Sequence, residues 1–261
     1  MKIGVLVVAY NADQTITSVL DRIPASFRDE VAEILVLDDA SSDHTVQVAE
    51  AYREAHPDLP LTVLRQPRNL GYGGNQKSGY RYAADHGWDI AVMLHGDGQY
   101  APEALEDMVA PILAGEADYV VGSRFAGDRR RMRPHRWAGN RALTWWVRRL
   151  ARRHFGERAI TDGQSGYRAL SPAAAADAEV VHDFNYAQVL TLDLLAKGHR
   201  YAEVPISYRF RSTGRSFVRL LPYLRRVVPA VRAELAGQSS TTLARKPALA
   251  ADHAAVSSVP S

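Results

Sequence analysis

Along the first half of the chain, short continuous apolar runs alternate with longer stretches of helical spacing. Lys2–Ala9, Val31–Asp38, Leu61–Gln66, Asp89–Leu94 and Tyr119–Gly122 read as strands. Several are apolar at nearly every position, as strands covered on both faces are. Asp13–Arg22, Asp43–Ala55, Gly74–His86 and Pro102–Ala114 read as the helices between them. This alternation predicts an α/β fold with a mostly parallel, Rossmann-like central sheet flanked by helices and joined by right-handed crossovers. Ligands of such sheets sit beyond the carboxyl ends of the strands. The residues just past those ends, Tyr10-Asn11, Asp38-Asp39, Asn69–Asn75 and His95–Gln99, are therefore expected to face one crevice.

The second half is patterned differently. Arg133–Phe155 and Phe184–Lys197 read as helices, and Tyr201–Tyr208 alternates as a strand does. At about 100° per residue, Trp137, Arg141, Trp145, Arg148 and Arg152 share one face of the first of these helices, with Leu143, Trp146, Val147 and Leu150 opposite. Arginines interleaved with tryptophans suit an anionic bilayer interface and favour peripheral membrane contact; the alternative is a solvated face whose tryptophans pack on neighbours. Phe217, Leu220, Leu221, Leu224, Val228 and Val231 mark a second amphipathic segment, in which Pro222 and Pro229 are expected to kink or break the helix. Residues 237–261 are small and polar, lack periodicity, and read as a disordered tail.

Composition narrows the chemistry. The 261 residues are 46% apolar, enough for one sizeable core, and carry a formal charge of only +3. All the basic residues except Lys2, Lys77, Lys197 and Lys246 are arginine, the side chain that grips phosphate with two prongs. The absence of cysteine excludes disulfides and thiolate catalysis and fits a reducing, cytoplasmic compartment. The apolar run of MKIGVLVVAYNADQ is too short for a signal peptide, and no run approaches the roughly 18–20 apolar residues of a spanning helix. No nucleic-acid motif accompanies the basic stripe, so no nucleic-acid partner is expected.

The crevice carries the candidate chemistry. Were the chain to continue extended past Leu94, His95, Asp97 and Gln99 would point to one side, with Gly96 and Gly98 letting a ligand approach the backbone. A carboxylate and an amide oxygen together suit Mg²⁺ or Mn²⁺. The alternative is that Gly-Asp-Gly only makes a turn.

VVAYNADQTI, VLDDASSDHT, RNLGYGGNQKSG, HGDGQYAPE, VGSRF, SGYRA and AEVPISYRFRSTGRS resemble, in this order, the successive motifs of glycosyltransferase family 2. Within that family the set is most similar to dolichol- and polyprenyl-phosphate sugar synthases. The resemblance spans Met1 to about Glu234. It implies a GT-A fold over residues 1–236, with a nucleotide-sugar-binding half (1–125) and an acceptor- and membrane-facing half (126–236). It also implies inverting transfer of a sugar from a GDP-mannose or UDP-glucose type of donor to a polyprenyl phosphate, at the inner face of the cytoplasmic membrane.

Residue by residue, the resemblance places Ala9, Tyr10, Asn11 and Asp39 at the donor nucleotide, with Asp38, Gly71, Asn75 and His95 nearby. It assigns Asp97 and Gln99 to the metal, and Arg124, Arg168 and Arg211 to the donor diphosphate or acceptor phosphate. Asp162, in TDGQSGYR, is the candidate base should the acceptor be a hydroxyl, and a turn or capping residue otherwise.

Two positions depart from the family pattern. His95 stands where many members have the first aspartate of Asp-x-Asp, and is expected to contact the ribose or support the metal site, with direct ligation of the ion as the alternative. Phe217 stands where a lysine is usual, which removes one phosphate contact. The alternatives are a hydroxyl acceptor, whether saccharide or small molecule, and an inactive sugar-nucleotide-binding protein.

Overall fold

Seven strands form one sheet in the order β3-β2-β1-β4-β6-β5-β7. They are β1 (Ile3–Ala9), β2 (Val31–Asp38), β3 (Leu61–Arg65), β4 (Ile90–His95), β5 (Tyr119–Ser123), β6 (Arg168–Leu170) and β7 (Tyr201–Pro205). The computed structural model describes residues 1–127, 134–157, 159–179, 187–208 and 220–237, with the backbone alone at 134–136 and 220–222. Strands β1 to β4 run parallel, as does the β5–β7 pair, whereas β6 lies antiparallel to both β4 and β5.

All seven residues of β1 are buried, because helices cover both of its faces. Val5, Val7, Ile34, Val36, Val92 and Leu94 point to one side. There they meet α1 (Ile16–Asp21), α2 (Ala25–Arg28), α3 (Thr45–Ala55) and α5 (Leu105–Leu113), the last led in by a 3₁₀ turn at Pro102–Ala104. The alternate residues Leu6, Leu35, Leu37 and Met93 meet α4 (Gly71–Asp85), α7 (Pro172–Asp177) and α8 (Ala187–Ala196) on the other side.

A third cluster joins α8 to α6 (Pro134–Phe155) and α9 (Leu220–Leu235) through Val147, Ala151, Leu192, Val227 and Val231. The predicted apolar face of α6 is thus spent on packing, with Leu143, Trp146 and Leu150 half-buried against the cluster. Its opposite face is open, and Trp137 and Trp145 are 42% and 64% exposed.

Three readings need correction. First, α9 runs unbroken through Pro229. That residue is exposed, so the carbonyl deprived of a partner lies on the wet side of the helix, while Pro222 falls in the first turn, where a missing N–H is tolerated. Leu224, Val228 and Val231 pack inward in the same cluster, and Phe217 lies outside the described residues. Second, the strand expected over Tyr201–Tyr208 ends at Pro205, and Tyr208 makes an isolated antiparallel bridge to Tyr100. Third, β6 and α7 were not foreseen, since three residues of strand carry no periodicity to read. The expected tail, beyond Gly237, lies outside the described residues.

Candidate active site

The strand order sets the carboxyl ends of β2, β1 and β4 side by side, and the loops leaving them are cross-linked. Asn11 takes a left-handed backbone (φ 49), as does Ala40 (φ 55) across from it. Ser41 and Ser42 span the gap. The Asn11 N–H donates to Ser41 Oγ at 2.9 Å, and Asn11 Oδ1 accepts from the Ser42 N–H at 3.0 Å. Strain of this kind is kept only where surrounding bonds over-determine it. Tyr10, at the rim, is 45% exposed.

The two aspartates at the carboxyl end of β2 have different surroundings. Asp38 is fully buried and accepts from the N–H and hydroxyl of Ser41, with Arg65 Nε 3.7 Å away. Burial raises its pKa, and the Ser41 hydrogen bonds and Arg65 offset part of that rise. Asp39 ties the next loop down, since its Oδ1 accepts from the Leu70 N–H at 2.7 Å and its backbone carbonyl from Asn69 Nδ2 at 3.1 Å. Gly71 opens α4 with a φ of +73, which a side chain would resist. Ala9 and Asn75 are buried. The Asn75 amide braces the fold, accepting from Gln66 at 3.1 Å and donating to the Leu37 carbonyl at 2.9 Å.

Of the two readings of His95, Asp97 and Gln99, extended continuation and turn, the turn is the one that occurs. The chain turns after His95, where Asp97 Oδ1 accepts from the Gln99 N–H at 3.1 Å and Gly98 takes φ +69. This Asp-initiated turn still leaves both side chains at the end of β4. Gln99 Nε2 donates to Tyr208 Oη at 2.8 Å. The donor set of one carboxylate and one amide is oxygen-based and fits a hard divalent ion. Among the described residues no three His, Cys, Asp or Glu side chains gather as a metal cage. An ion here must take the rest of its shell from substrate oxygens and water, as Mg²⁺ commonly does.

His95 is clamped. Its Nε2 lies 2.6 Å from Tyr72 Oη, and its ring meets those of Tyr72 and Tyr100 edge-on. Gly166 closes the clamp, for a Cβ there would fall 2.6 Å from the imidazole and 2.7 Å from Tyr72 Oη. Three motifs distant in sequence thus fix one ring.

Arg124 and Asp162 form a buried two-pronged ion pair. Nε and Nη2 of Arg124 lie 2.6 and 2.9 Å from the two carboxylate oxygens, and the Arg124 N–H donates to the same carboxylate. Burial opposes the arginine's charge, but Asp162, together with Tyr100 and Tyr208, more than offsets it and holds the pKa above its usual value. Glu203 of β7 fastens this loop by accepting from the N–H groups of Thr161 and Asp162 and from the Thr161 hydroxyl.

Arg168 is 2% exposed and donates to the carbonyls of Ser165 and Ala187, with its Nε unpartnered among the described residues. It lies beneath the site, not at its surface. Arg211 is outside the described residues. Tyr72, Glu203 and Tyr208 were not singled out from the sequence, although each sits inside or beside a quoted motif.

The family model for glycosyl transferase family 2 matches residues 4–175. The chain belongs to glycosyltransferase family 2. The undecaprenyl-phosphate mannosyltransferase of Micrococcus luteus is 30% identical over 222 residues, which cover 83% of this chain and 87% of that protein. The polyprenol monophosphomannose synthase of Mycolicibacterium smegmatis is 28% identical, covering 80% and 78%. Among solved structures, glucosyl-3-phosphoglycerate synthase of Mycobacterium tuberculosis, in complex with Mn²⁺, UDP-glucose and phosphoglyceric acid, aligns with a TM-score of 0.60 at 23% identity. That alignment spans 92% of this chain and 80% of that one. The expected GT-A fold is therefore borne out, and the protein is a glycosyltransferase. No helix among the described residues is long and apolar enough to cross a membrane.

Proposed function

We propose that this family 2 glycosyltransferase moves a sugar, with inversion, from a nucleotide donor of the GDP-mannose or UDP-glucose type onto a polyprenyl phosphate. The state of Asp162 carries the choice of acceptor. A hydroxyl acceptor needs a carboxylate to take its proton. The carboxylate foreseen for that task is buried and bound by both prongs of Arg124. A phosphate monoester is already an anion at neutral pH and needs no base. The names of the Micrococcus and Mycolicibacterium relatives point the same way.

In the proposed reaction a phosphate oxygen of the acceptor attacks the anomeric carbon opposite the leaving group. A carbon–oxygen bond forms as the bond to the donor's β-phosphate breaks. The nucleoside diphosphate leaves with the bonding electrons, and no proton is transferred.

Tyr10, Asn11 and Asp39 hold the nucleotide beyond β1 and β2, with Gly71 opening the neighbouring helix so that the backbone can approach it. Ala9, Asp38 and Asn75 act from beneath, by shaping that loop. Asp97 and Gln99 would hold Mg²⁺ or Mn²⁺, which when bound supplies Lewis-acid neutralisation of the leaving phosphates. His95, with Nε2 engaged by Tyr72, contacts the ribose or supports the site rather than ligating the ion. Arg124 adds positive charge next to Tyr208 and the turn, Arg168 stiffens the floor, and Arg211 is assigned to the acceptor phosphate from its motif alone.

The test is a panel of radiolabelled nucleotide sugars offered with polyprenyl phosphate. Label should enter the organic phase with one donor and stay aqueous when the lipid is replaced by its free alcohol. Equal transfer to water-soluble hydroxyl acceptors would overturn the reading.

The acceptor is a lipid, so we assign the outer face of α6 to an anionic membrane surface on the cytoplasmic side. Trp145, Arg148, Arg149, Arg152 and Arg153 line an open groove there. Replacing Trp137, Trp145 and Arg148 together by alanine should weaken sedimentation with anionic vesicles at least about tenfold and leave donor affinity unchanged. Unchanged vesicle binding would make the stripe a merely solvated face.

A further inference from the structure

Gln99 can serve a cation only through its amide oxygen, yet the two ends of an amide are nearly the same size and the terminal torsion is soft. Something must choose the end. In the structure the nitrogen end is taken, because Gln99 Nε2 donates to Tyr208 Oη at 2.8 Å. Tyr208 is itself held from three directions. Its backbone bridges Tyr100, its ring meets the Tyr100 ring at 5.7 Å and 68°, and the Arg124 guanidinium lies 5.3 Å from its ring centroid. Arg124 in turn is fixed by both oxygens of Asp162.

The geometry points to Tyr208 as the positioning residue for Gln99: it holds the amide nitrogen, so that the oxygen is the end presented for the divalent ion. This rests on the assignment of Asp97 and Gln99 to the metal. It also gives the Arg124–Asp162 pair a task in the site that involves no proton transfer, since the pair buttresses the tyrosine that orients the ligand. Partners of this kind behind a ligand typically change metal affinity about 10–100-fold when removed.

The experiment uses the full chain and Mn²⁺, titrated by electron paramagnetic resonance in the presence of UDP or GDP. Tyr208→Phe keeps the ring and the Arg124 contact and removes only the hydroxyl. It should weaken Mn²⁺ binding about tenfold and raise the Mn²⁺ concentration for half-maximal rate equally, with kcat at saturating Mn²⁺ within about twofold of wild type. An unchanged melting temperature excludes a folding defect.

The decisive control is Gln99→Glu. A carboxylate offers oxygen at both ends and needs no orientation, so adding Tyr208→Phe to Gln99→Glu should cost no further Mn²⁺ affinity. Wild-type Mn²⁺ affinity in Tyr208→Phe, or the same loss in the Gln99→Glu background, would overturn the role of Tyr208. Failure of the underlying metal assignment looks different, because Asp97→Asn would then bind Mn²⁺ as tightly as wild type.

Discussion

Asp97→Asn is expected to lower turnover by about two to three orders of magnitude, the scale seen when one group that stabilises developing charge is removed. The substitution keeps size and shape and lets the amide oxygen still accept from the Gln99 N–H, so the turn after β4 should survive. What is lost is the negative charge that holds a divalent ion against the donor's phosphates. Donor binding should weaken in parallel, and added Mn²⁺ should recover only part of the rate. His95→Ala should cost less, about tenfold, because the imidazole already spends Nε2 on Tyr72 and acts by filling the space between Tyr72, Tyr100 and Gly166. Rate assays with a metal titration separate the two. Full activity of the wild type in excess chelator would sink the metal assignment, and equal loss of Mn²⁺ binding in both variants would make His95 a direct ligand.

The frame of this site was legible in the sequence because continuous apolar runs mark strands buried on both faces, and the residues after such runs must gather at one end of a parallel sheet. Asn11, Asp39 and Asp97 were placed that way, and the structure brings their loops together. The pairing of elements distant in sequence was not legible. Arg124 and Asp162 are separated by 38 positions, and Gln99 and Tyr208 by 109, so no local pattern announces either contact. The HGDG segment allows both an extended continuation and a turn by its residue pattern alone, and Gly98 with its positive φ and the Asp97 hydrogen bond to Gln99 settle it as a turn. The turn formers around Asp162 in TDGQSGYR suit a cap, and its carboxylate suits a base, and the sequence does not choose between them. Only the fold shows that a buried arginine claims it.

Asp162→Asn is expected to act first on stability. The pair it breaks is buried, with side-chain exposures of 8% for Arg124 and 0% for Asp162, and removing one partner strands a guanidinium charge out of water. Such losses typically cost about 3–5 kcal/mol. For a chain of this size that is a fall in melting temperature on the order of 10 °C. Replacing both partners by neutral groups leaves no stranded charge, so Arg124→Gln combined with Asp162→Asn should be more stable than Asp162→Asn alone. Catalysis should follow a different course. Assayed well below its melting temperature, Asp162→Asn should keep measurable transfer to polyprenyl phosphate. Its rate should rise with pH through the second ionisation of the acceptor phosphate, near about 6, as the wild-type rate does, because the ionising group belongs to the acceptor. A general base predicts the same fall in melting temperature but different kinetics, with turnover abolished and the acid limb of the wild-type pH profile missing from any residual rate. That outcome would move the acceptor from a lipid phosphate to a hydroxyl.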